Sequence, residues 1–318
     1  MISVIIVNYC TRELLRDCLA SLRASRDPAV EIIVVDNHST DASVEMVRAE
    51  FSEFRLITNS ENLGFAQGNN TGIWQARGKY ILLLNSDTLV RPGALQAMTR
   101  FLDSHPTAGG VTCRLLNGDG TIQACVSRRP GPMLLFFRLS GLSHLFGSDR
   151  ARRFVRRYLG WLLGATVRSY LDPYAASESP LEVENISGAC LMLRREAVEQ
   201  VGLLDESFFM YFEDMDYCIR LRKAGWKLFY VPTGEIVHLV GQSSGGRMRD
   251  YSVSSYQSLF YFYRKHHSFW KVLAVRILVF FASSIRWAWS LAHELSADSS
   301  AYRRNRLDLQ QVIRLCFD

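Results

Sequence analysis

Tyr80-Ile81-Leu82-Leu83-Leu84-Asn85-Ser86-Asp87-Thr88 is the stretch on which the fold turns. An apolar run stops abruptly at Asn-Ser-Asp. A parallel strand buried on both faces reads as just such a continuous run. In open α/β sheets, ligands sit outside the carboxyl ends of these strands. Asp87 is then a carboxylate at the mouth of a sheet, where a hard cation and a phosphate can meet. Taken alone, Asn85 and Asp87 suit equally well a turn that caps a helix starting near Pro92.

The flanking sequence repeats the pattern. Ser3–Asn8 reads as a strand, followed by Thr11–Ser25 with Leu14, Leu15, Cys18, Leu19 and Leu22 at helical spacing and Thr11 as N-cap. Glu31–Asp36 is a second strand ending in an acid, and Asp41 caps the next helix, through Ala49. Phe54–Thr58 is a third strand, Ala66–Arg77 a helix stopped by Gly78, and Lys79–Leu84 the fourth strand. This alternation predicts an α/β fold with a parallel sheet and right-handed crossovers. Beyond it come a helix over Pro92–Ser104 and a hairpin turning at Asn117-Gly118-Asp119-Gly120. Ile186–Leu193 reads as a strand, Arg195–Val201 and Glu213–Ala224 as helices, and Trp226–Val231 as a last strand.

The chain of 318 residues is ample for a sizeable core, and its net charge of +6 is modest. Its seven cysteines (10, 18, 113, 125, 190, 218, 316) form no C-x-x-C pair, which points to a reducing, cytoplasmic compartment. Met1 leads straight into a strand-like segment rather than a signal peptide. No run reaches the ~18 apolar residues of a clear membrane span. No zinc spacing, Ser-His-Asp order or nucleic-acid motif is present.

Two strands end in acids, Asp36 and Asp87. One such carboxylate suits a hydrogen bond to a base or ribose. The other suits a divalent cation, since magnesium takes only one or two protein carboxylates beside substrate phosphates and water. Asp36-Asn37-His38-Ser39 also reads as an Asx turn. Asn62-Leu63-Gly64-Phe65-Ala66-Gln67-Gly68-Asn69 is glycine-rich but is no G-x-G-x-x-G fingerprint, which argues against a dinucleotide-binding dehydrogenase. Its glycines permit close backbone approach to a ligand or simple packing at a helix start. Glu213, Asp214 and Asp216 open a helix beside Phe208-Phe209-Met210-Tyr211. Helix-start acids are stabilised by the dipole, and a carboxylate against an aromatic wall also suits a general base. Arg220, Arg222 and Trp226 follow, for phosphate contact and stacking or for packing. His238 is a lone imidazole after the last strand, and imidazole is a competent ligand for manganese-type metals.

These stretches together resemble the family 2 inverting glycosyltransferases, nearest their bacterial rhamnosyltransferase branch. The resemblance rests on ISVIIVNY (2–9), EIIVVDNHSTDASVEMV (31–47), NLGFAQGNNTGI (62–73), KYILLLNSDTLVRPGAL (79–95), ISGACLMLRREAVEQVGLLDESFFMYFEDMDYCIRLRKAGWKLFYVP (186–232) and VHLVGQSS (237–244). It implies a Rossmann-like nucleotide-sugar transferase (GT-A) fold with a mostly parallel sheet, a basic insert and C-terminal helices. It implies that Val7, Tyr9 and Asp36 line the base pocket and that Asn62, Gly64 and Asn69 shape the wall near ribose and diphosphate. Asn85, Ser86 and Trp226 complete the nucleotide-sugar site. Asp87 would hold Mg2+ or Mn2+ with His238 as a further ligand, and Asp214, paired with Glu213, would be the base. The family's Asp-x-Asp stands here as Asn85-Ser86-Asp87, so the first carboxylate is missing. The expected reaction is metal-dependent, inverting transfer of a hexose, L-rhamnose from dTDP-rhamnose first. The acceptor would be a lipid-linked or polysaccharide glycan in cell-wall, O-antigen or exopolysaccharide synthesis. UDP-galactofuranose or UDP-glucose as donor, or a non-catalytic nucleotide-sugar-binding protein, are the alternatives.

The catalytic domain is expected over 1–250, with an insert at 127–180 and a helical extension at 251–318. From Arg128 to Arg168 there are nine arginines against one aspartate, interleaved with apolar residues. That composition suits an anionic membrane surface; nucleic acid, the other partner of basic charge, is not expected. In the extension, Arg276 and Arg286 interrupt an apolar stretch too often for a span, so a helix lying in the membrane interface or a homo-oligomer contact is expected. The enzyme would then be peripheral on the inner face of the cell membrane.

Overall fold

The computed structural model describes residues 1–25, 30–127, 177–239, 253–294 and 299–318. In chain order the elements are β1 (Ile2–Asn8), α1 (Arg12–Ala24), β2 (Val30–Asp36), α2 (Ser43–Glu50), β3 (Arg55–Thr58), α3 (Gly64–Gln75), β4 (Tyr80–Asn85), β5 (Thr88–Val90), α4 (Ala94–Ser104), β6 (Ala108–Leu116), β7 (Ile122–Gln123), β8 (Val126–Ser127), β9 (Leu181–Val183), β10 (Asn185–Ile186), β11 (Cys190–Arg194), α5 (Arg195–Val201), α6 (Glu213–Lys223) and β12 (Lys227–His238). Then follow α7 (Val253–His266), α8 (Phe269–Glu294) and α9 (Ser299–Leu315). The chain divides into two compact units, and these three helices belong to the second. Residues 128–176 of the basic insert and residues 240–244 lie outside the described residues.

The sheet of the first unit runs β3-β2-β1-β4-β11-β6-β12-β5, with β7 beside β6 and β9 beside β12. Parallel pairing sets Val7 opposite both Val35 and Asn85. Val4, Ile5, Ile6, Ile33, Val34, Val35, Ile81 and Leu82 are completely buried, as the apolar runs require. The sheet is mostly parallel, as expected, with two antiparallel entries: β11 lies antiparallel between β4 and β6, and β5 pairs antiparallel with β12. Because β11 reverses twice, β4, β6 and β12 still run the same way. The carboxyl ends of β1, β2, β4, β6 and β12 therefore open on one edge.

The expected strand Ile186–Leu193 is broken at Ser187-Gly188-Ala189, where Cys190 N–H turns back to the Ser187 carbonyl. Its first part pairs with β8 and its second with β4, so Val126 leaves the predicted hairpin to join β10. Thr11 precedes α1, but its hydroxyl donates to Asn8 Oδ1 (2.6 Å) rather than capping the helix. The Arg12 N–H goes instead to Asp41 Oδ2 (2.8 Å), while Asp41 Oδ1 accepts from Ser43 N–H (3.2 Å). One carboxylate thus closes the starts of two helices.

Candidate active site

The end of β4 and the end of β12 meet through β5. His238 pairs in register with Thr88, and Leu239 N–H donates to the Asp87 carbonyl at 2.8 Å. This ladder brings His238 Nε2 to 3.2 Å from Asp87 Oδ1, with Asn85 Nδ2 3.3 Å from the same nitrogen. Asp87 and His238 are 1% and 3% exposed, so each is presented from a packed wall. Ser86 is buried beside them, its hydroxyl 3.0 Å from that of Thr11. Among the described residues no group of three His, Cys, Asp or Glu side chains converges. A carboxylate and an imidazole side by side fit a hard-to-borderline divalent cation whose other positions are taken by substrate oxygens and water.

The second acidic cluster opens α6. Gly188 N–H donates to Asp214 Oδ2 (2.9 Å), and Met215 N–H to Asp214 Oδ1 (2.7 Å). Residue 189, next along, accepts from Asn85 N–H through its carbonyl (3.1 Å). One short turn therefore ties the Asp214 carboxylate to the end of β4. Burial raises the Asp214 pKa. Burial, with the Asp214 charge beside it, pushes Glu213 well above its ordinary value, and Glu213 Oε2 is buried without a hydrogen-bond partner. The two residues before α6, Tyr211 and Phe212, both hold φ of 69°. Left-handed backbone at non-glycine residues stores strain that the surroundings must over-determine.

The glycine-rich loop braces this acid turn. Gly64 has φ of 78°, and a Cβ there would sit 2.3 Å from the Phe209 carbonyl oxygen, which accepts from Phe65 N–H (2.7 Å). Asn62 Oδ1 accepts from Gly64 N–H (3.0 Å), and Asn37 Nδ2 donates to the Gly64 carbonyl (2.8 Å). Asn69 Nδ2 donates one turn back to the Phe65 carbonyl (2.8 Å). Farther along α3 the glycines serve packing: a Cβ at Gly72 would lie 2.4 Å from Ile5.

At the ends of β1 and β2, Asp36 is 2% exposed. Its Oδ1 accepts from Asn8 Nδ2 (2.8 Å) and its Oδ2 from Ser39 N–H (2.8 Å), so the Asx turn and the strand-end acid are one structure. Val7 is half-buried between β2 and β4, and Tyr9, 50% exposed, stands at the rim.

Two sequence expectations go elsewhere. Trp226 precedes β12, and that strand runs parallel to β6, so Trp226 sits at the opposite edge of the sheet from His238. Its indole donates to Gln200 Oε1 (2.8 Å), and its ring fills the space that a Cβ at Gly109 would need. Arg220 is consumed structurally, by Asp216 (2.8 Å) and the Val201 and Leu203 carbonyls. Sequence reasoning also missed residues that shape the site. Asn70 clamps α3 to the loop before α6 through the Leu204 backbone and Glu206. Asn8 and Asn37 orient the strand ends, and Gln123 holds His238 (2.7 Å). Asparagine at a strand end was a signal; Gln123, in a short hairpin strand, carried none.

The sequence profile of Glycosyl transferase family 2 matches residues 3–202, and that of Glycosyl transferase family group 2 matches residues 147–298. The chain is 29% identical to N-acetylglucosaminyl-diphospho-decaprenol L-rhamnosyltransferase of Mycobacterium tuberculosis, over 98% of each chain. It is 25% identical to the rhamnosyltransferase WbbL of Escherichia coli K12, over 75% of this chain and 83% of the relative. In fold it is similar to the mannosyltransferase PcManGT from Pyrobaculum calidifontis in complex with GDP-Man and Mn2+ (TM-score 0.52, 17% identity, 98% of this chain and 84% of that one). It is also similar to GalNAc-T7 with UDP, GalNAc and Mn2+ (TM-score 0.57, 16% identity, 98% and 54%). Sheet, acid pairs and likenesses define a glycosyltransferase of the GT-A fold. The chain belongs to glycosyl transferase family 2, near the rhamnosyltransferases.

Proposed function

We propose that this enzyme moves a sugar, with inversion, from a nucleoside diphosphate to a hydroxyl of a lipid-linked glycan in cell-wall or surface-polysaccharide synthesis. L-rhamnose from dTDP-rhamnose is the donor we favour. The observation that carries the reading is the turn at 188–189, which ties the Asp214 carboxylate to the strand end bearing Asp87 and His238. The near full-length likeness to a protein named as an L-rhamnosyltransferase acting on N-acetylglucosaminyl-diphospho-decaprenol supports the donor and the polyprenyl-linked acceptor.

Asp87 and His238 would hold Mg2+ or Mn2+, which supplies Lewis-acid neutralisation of the charge developing on the leaving diphosphate. Asp36, Val7 and Tyr9 form the base end of the donor pocket, and Asn62, Gly64, Asn69, Asn85 and Ser86 its wall. The Asp214 carboxylate takes the proton from the acceptor hydroxyl as that oxygen attacks the anomeric carbon. Its two backbone N–H donors hold both oxygens in place, while burial keeps it more basic than an exposed aspartate. Attack opposite the leaving group passes through an oxocarbenium-like state and inverts the centre. Glu213 is buried beside it, and burial together with the Asp214 charge favours its protonated form.

Residues 1–250 act as the catalytic domain, and the helices after 251 as the membrane-facing part. Among the described residues no helix is long and apolar enough to cross a membrane. α8 instead exposes Phe269 (70%), Trp270 (74%), Ile277 (46%), Phe281 (59%) and Ile285 (68%). Its charged residues before Glu294 are Lys271, Arg276 and Arg286, all cations. An exposed apolar face on a helix whose charges before Glu294 are all positive suits the anionic surface of the cytosolic leaflet.

A donor screen of the purified chain with Mn2+ tests the reading. Release of dTDP from dTDP-rhamnose with a polyprenyl-diphosphate-linked acceptor is expected. Turnover confined to UDP-galactofuranose or UDP-glucose would replace the donor, and nucleotide binding without any release would replace the enzyme by a binding protein.

A further inference from the structure

His238 does not stand alone behind the metal site. Its Nδ1 lies 2.7 Å from Gln123 Oε1, on β7, the short strand that pairs with β6 through Leu115 and Gln123. The polarity of that contact follows from its neighbours. Asp119 Oδ1 accepts from the Thr121 hydroxyl (2.6 Å) and from Thr121 N–H (2.9 Å). An ionised carboxylate only accepts, so the Thr121 hydroxyl proton points to it. Thr121 Oγ1 must then accept, and it does so from Asn117 Nδ2 (2.9 Å). That leaves Asn117 Oδ1 as the acceptor for Gln123 Nε2 (2.8 Å), which also donates to the His238 carbonyl (3.2 Å). Gln123 Oε1 is thereby turned toward the ring, and His238 Nδ1 carries the proton. Its Nε2 faces Asp87 Oδ1 at 3.2 Å and lies 3.3 Å from Asn85 Nδ2. An imidazole nitrogen and a carboxylate oxygen converge on one spot.

We propose that Gln123 is a positioning residue: as the last link of a chain of hydrogen bonds anchored on Asp119, it fixes His238 as the Nδ1–H tautomer and so offers Nε2 to the divalent cation. The inference rests on the metal site proposed above. Partners that hold the far nitrogen of a ligating histidine typically change metal affinity about 10–100-fold when removed. The oxygen of Gln123 orients the ring, while its NH2 joins the hairpin turn to the β12 backbone.

The test uses the full chain, labelled with 15N at histidine, with His238→Gln identifying the His238 signals. In the metal-free wild type His238 shows the Nδ1–H pattern. Gln123→Leu loses that pattern and weakens Mn2+ binding, measured by titration with a nucleoside diphosphate present, about 10–100-fold. Gln123→Glu, whose carboxylate still accepts from Nδ1–H, keeps the tautomer and binds Mn2+ within a few-fold of wild type. An Nε2–H wild type overturns the proposal, as does Gln123→Leu with unchanged tautomer and affinity, or a Gln123→Glu as impaired as the leucine variant. A wild type with the Nδ1–H pattern but no Mn2+ binding instead removes the metal reading, and with it the role of the tautomer.

Discussion

Asp87 Oδ1 and His238 Nε2 lie 3.2 Å apart although they are far apart in the sequence. Antiparallel pairing of β5 with β12 produces this contact, with His238 opposite Thr88 and Leu239 N–H on the Asp87 carbonyl. Replacing either side chain by alanine should abolish Mn2+-dependent transfer, lowering kcat by roughly 10²–10³-fold, the cost of losing one stabiliser of developing charge. Rates measured across a Mn2+ series check this. A His238→Ala enzyme with the wild-type Mn2+ dependence would remove His238 from the site.

Asp214 is held by two backbone N–H groups, so its exchange for asparagine should leave the turn at Gly188 standing. Asp214→Asn is expected to bind dTDP as the wild type does and to lose transfer by about 10²–10⁴-fold. Calorimetric dTDP binding and sugar-transfer assays separate the two effects. Near-normal turnover in this variant would mean that another group takes the proton.

The acid pair also sets a pH signature. Burial raises Asp214, so the rising limb of kcat/KM against pH should lie above the range of an exposed aspartate, and Asp214→Asn should remove it. For Glu213 the folded pKa stands above its ordinary 4.5. Its protonated form is favoured by folding, so this stabilisation is complete below the unfolded pKa and is lost as pH rises through the folded one. Glu213→Gln, which stays neutral, should therefore be more stable than wild type at pH 7, with the gap closing below about pH 4.5. Urea unfolding at several pH values measures it, and an equal gap at every pH would contradict it.

Gly64→Ala should destabilise the protein by about 1–3 kcal/mol, the cost of a left-handed residue with a side chain. The added Cβ would meet the Phe209 carbonyl 2.3 Å away, which backbone alone can relieve. Because Phe209 leads into α6, KM for the donor should rise as well. Thermal unfolding and donor kinetics check both, and an unchanged Tm would show that the loop yields freely.

The exposed face of α8 predicts adsorption to vesicles containing anionic lipid. A buried Phe or Ile side chain contributes about 1.5–3 kcal/mol, so Phe281→Glu or Ile285→Glu should each weaken partitioning at least about tenfold. High salt or alkaline wash should release the wild type. Retention through both treatments, or unchanged partitioning of the variants, would count against a face lying in the interface.

Much of the first unit was legible because its signals are local. The runs at 2–8, 30–36 and 80–85 are buried strands with acids or amides at their ends, and the period of α1 places Leu15, Cys18, Leu19 and Leu22 inside. The acids Asp36, Asp87, Glu213 and Asp214 were legible for the same reason, each lying at a strand end or a helix start. Trp226 was misplaced because nearness in sequence to α6 says nothing about which edge of the sheet the next strand starts from. Ile186–Leu193 was read as one strand because a single glycine within an apolar run does not reveal that its halves pair with different partners.

The sequence by itself determined the alternation of strand and helix, the edge at which the acids collect and the family to which the chain belongs. These depend on periodicity and on residues adjacent along the chain. Tertiary structure alone decided that β11 enters antiparallel beside β4, that the turn at Gly188 grips Asp214, that Asp87 meets His238, and that Gln123 turns its oxygen to the imidazole. Each of these depends on pairing between segments far apart in the chain. Register is chosen there by the whole set of hydrogen bonds and buried faces, and no local pattern records it.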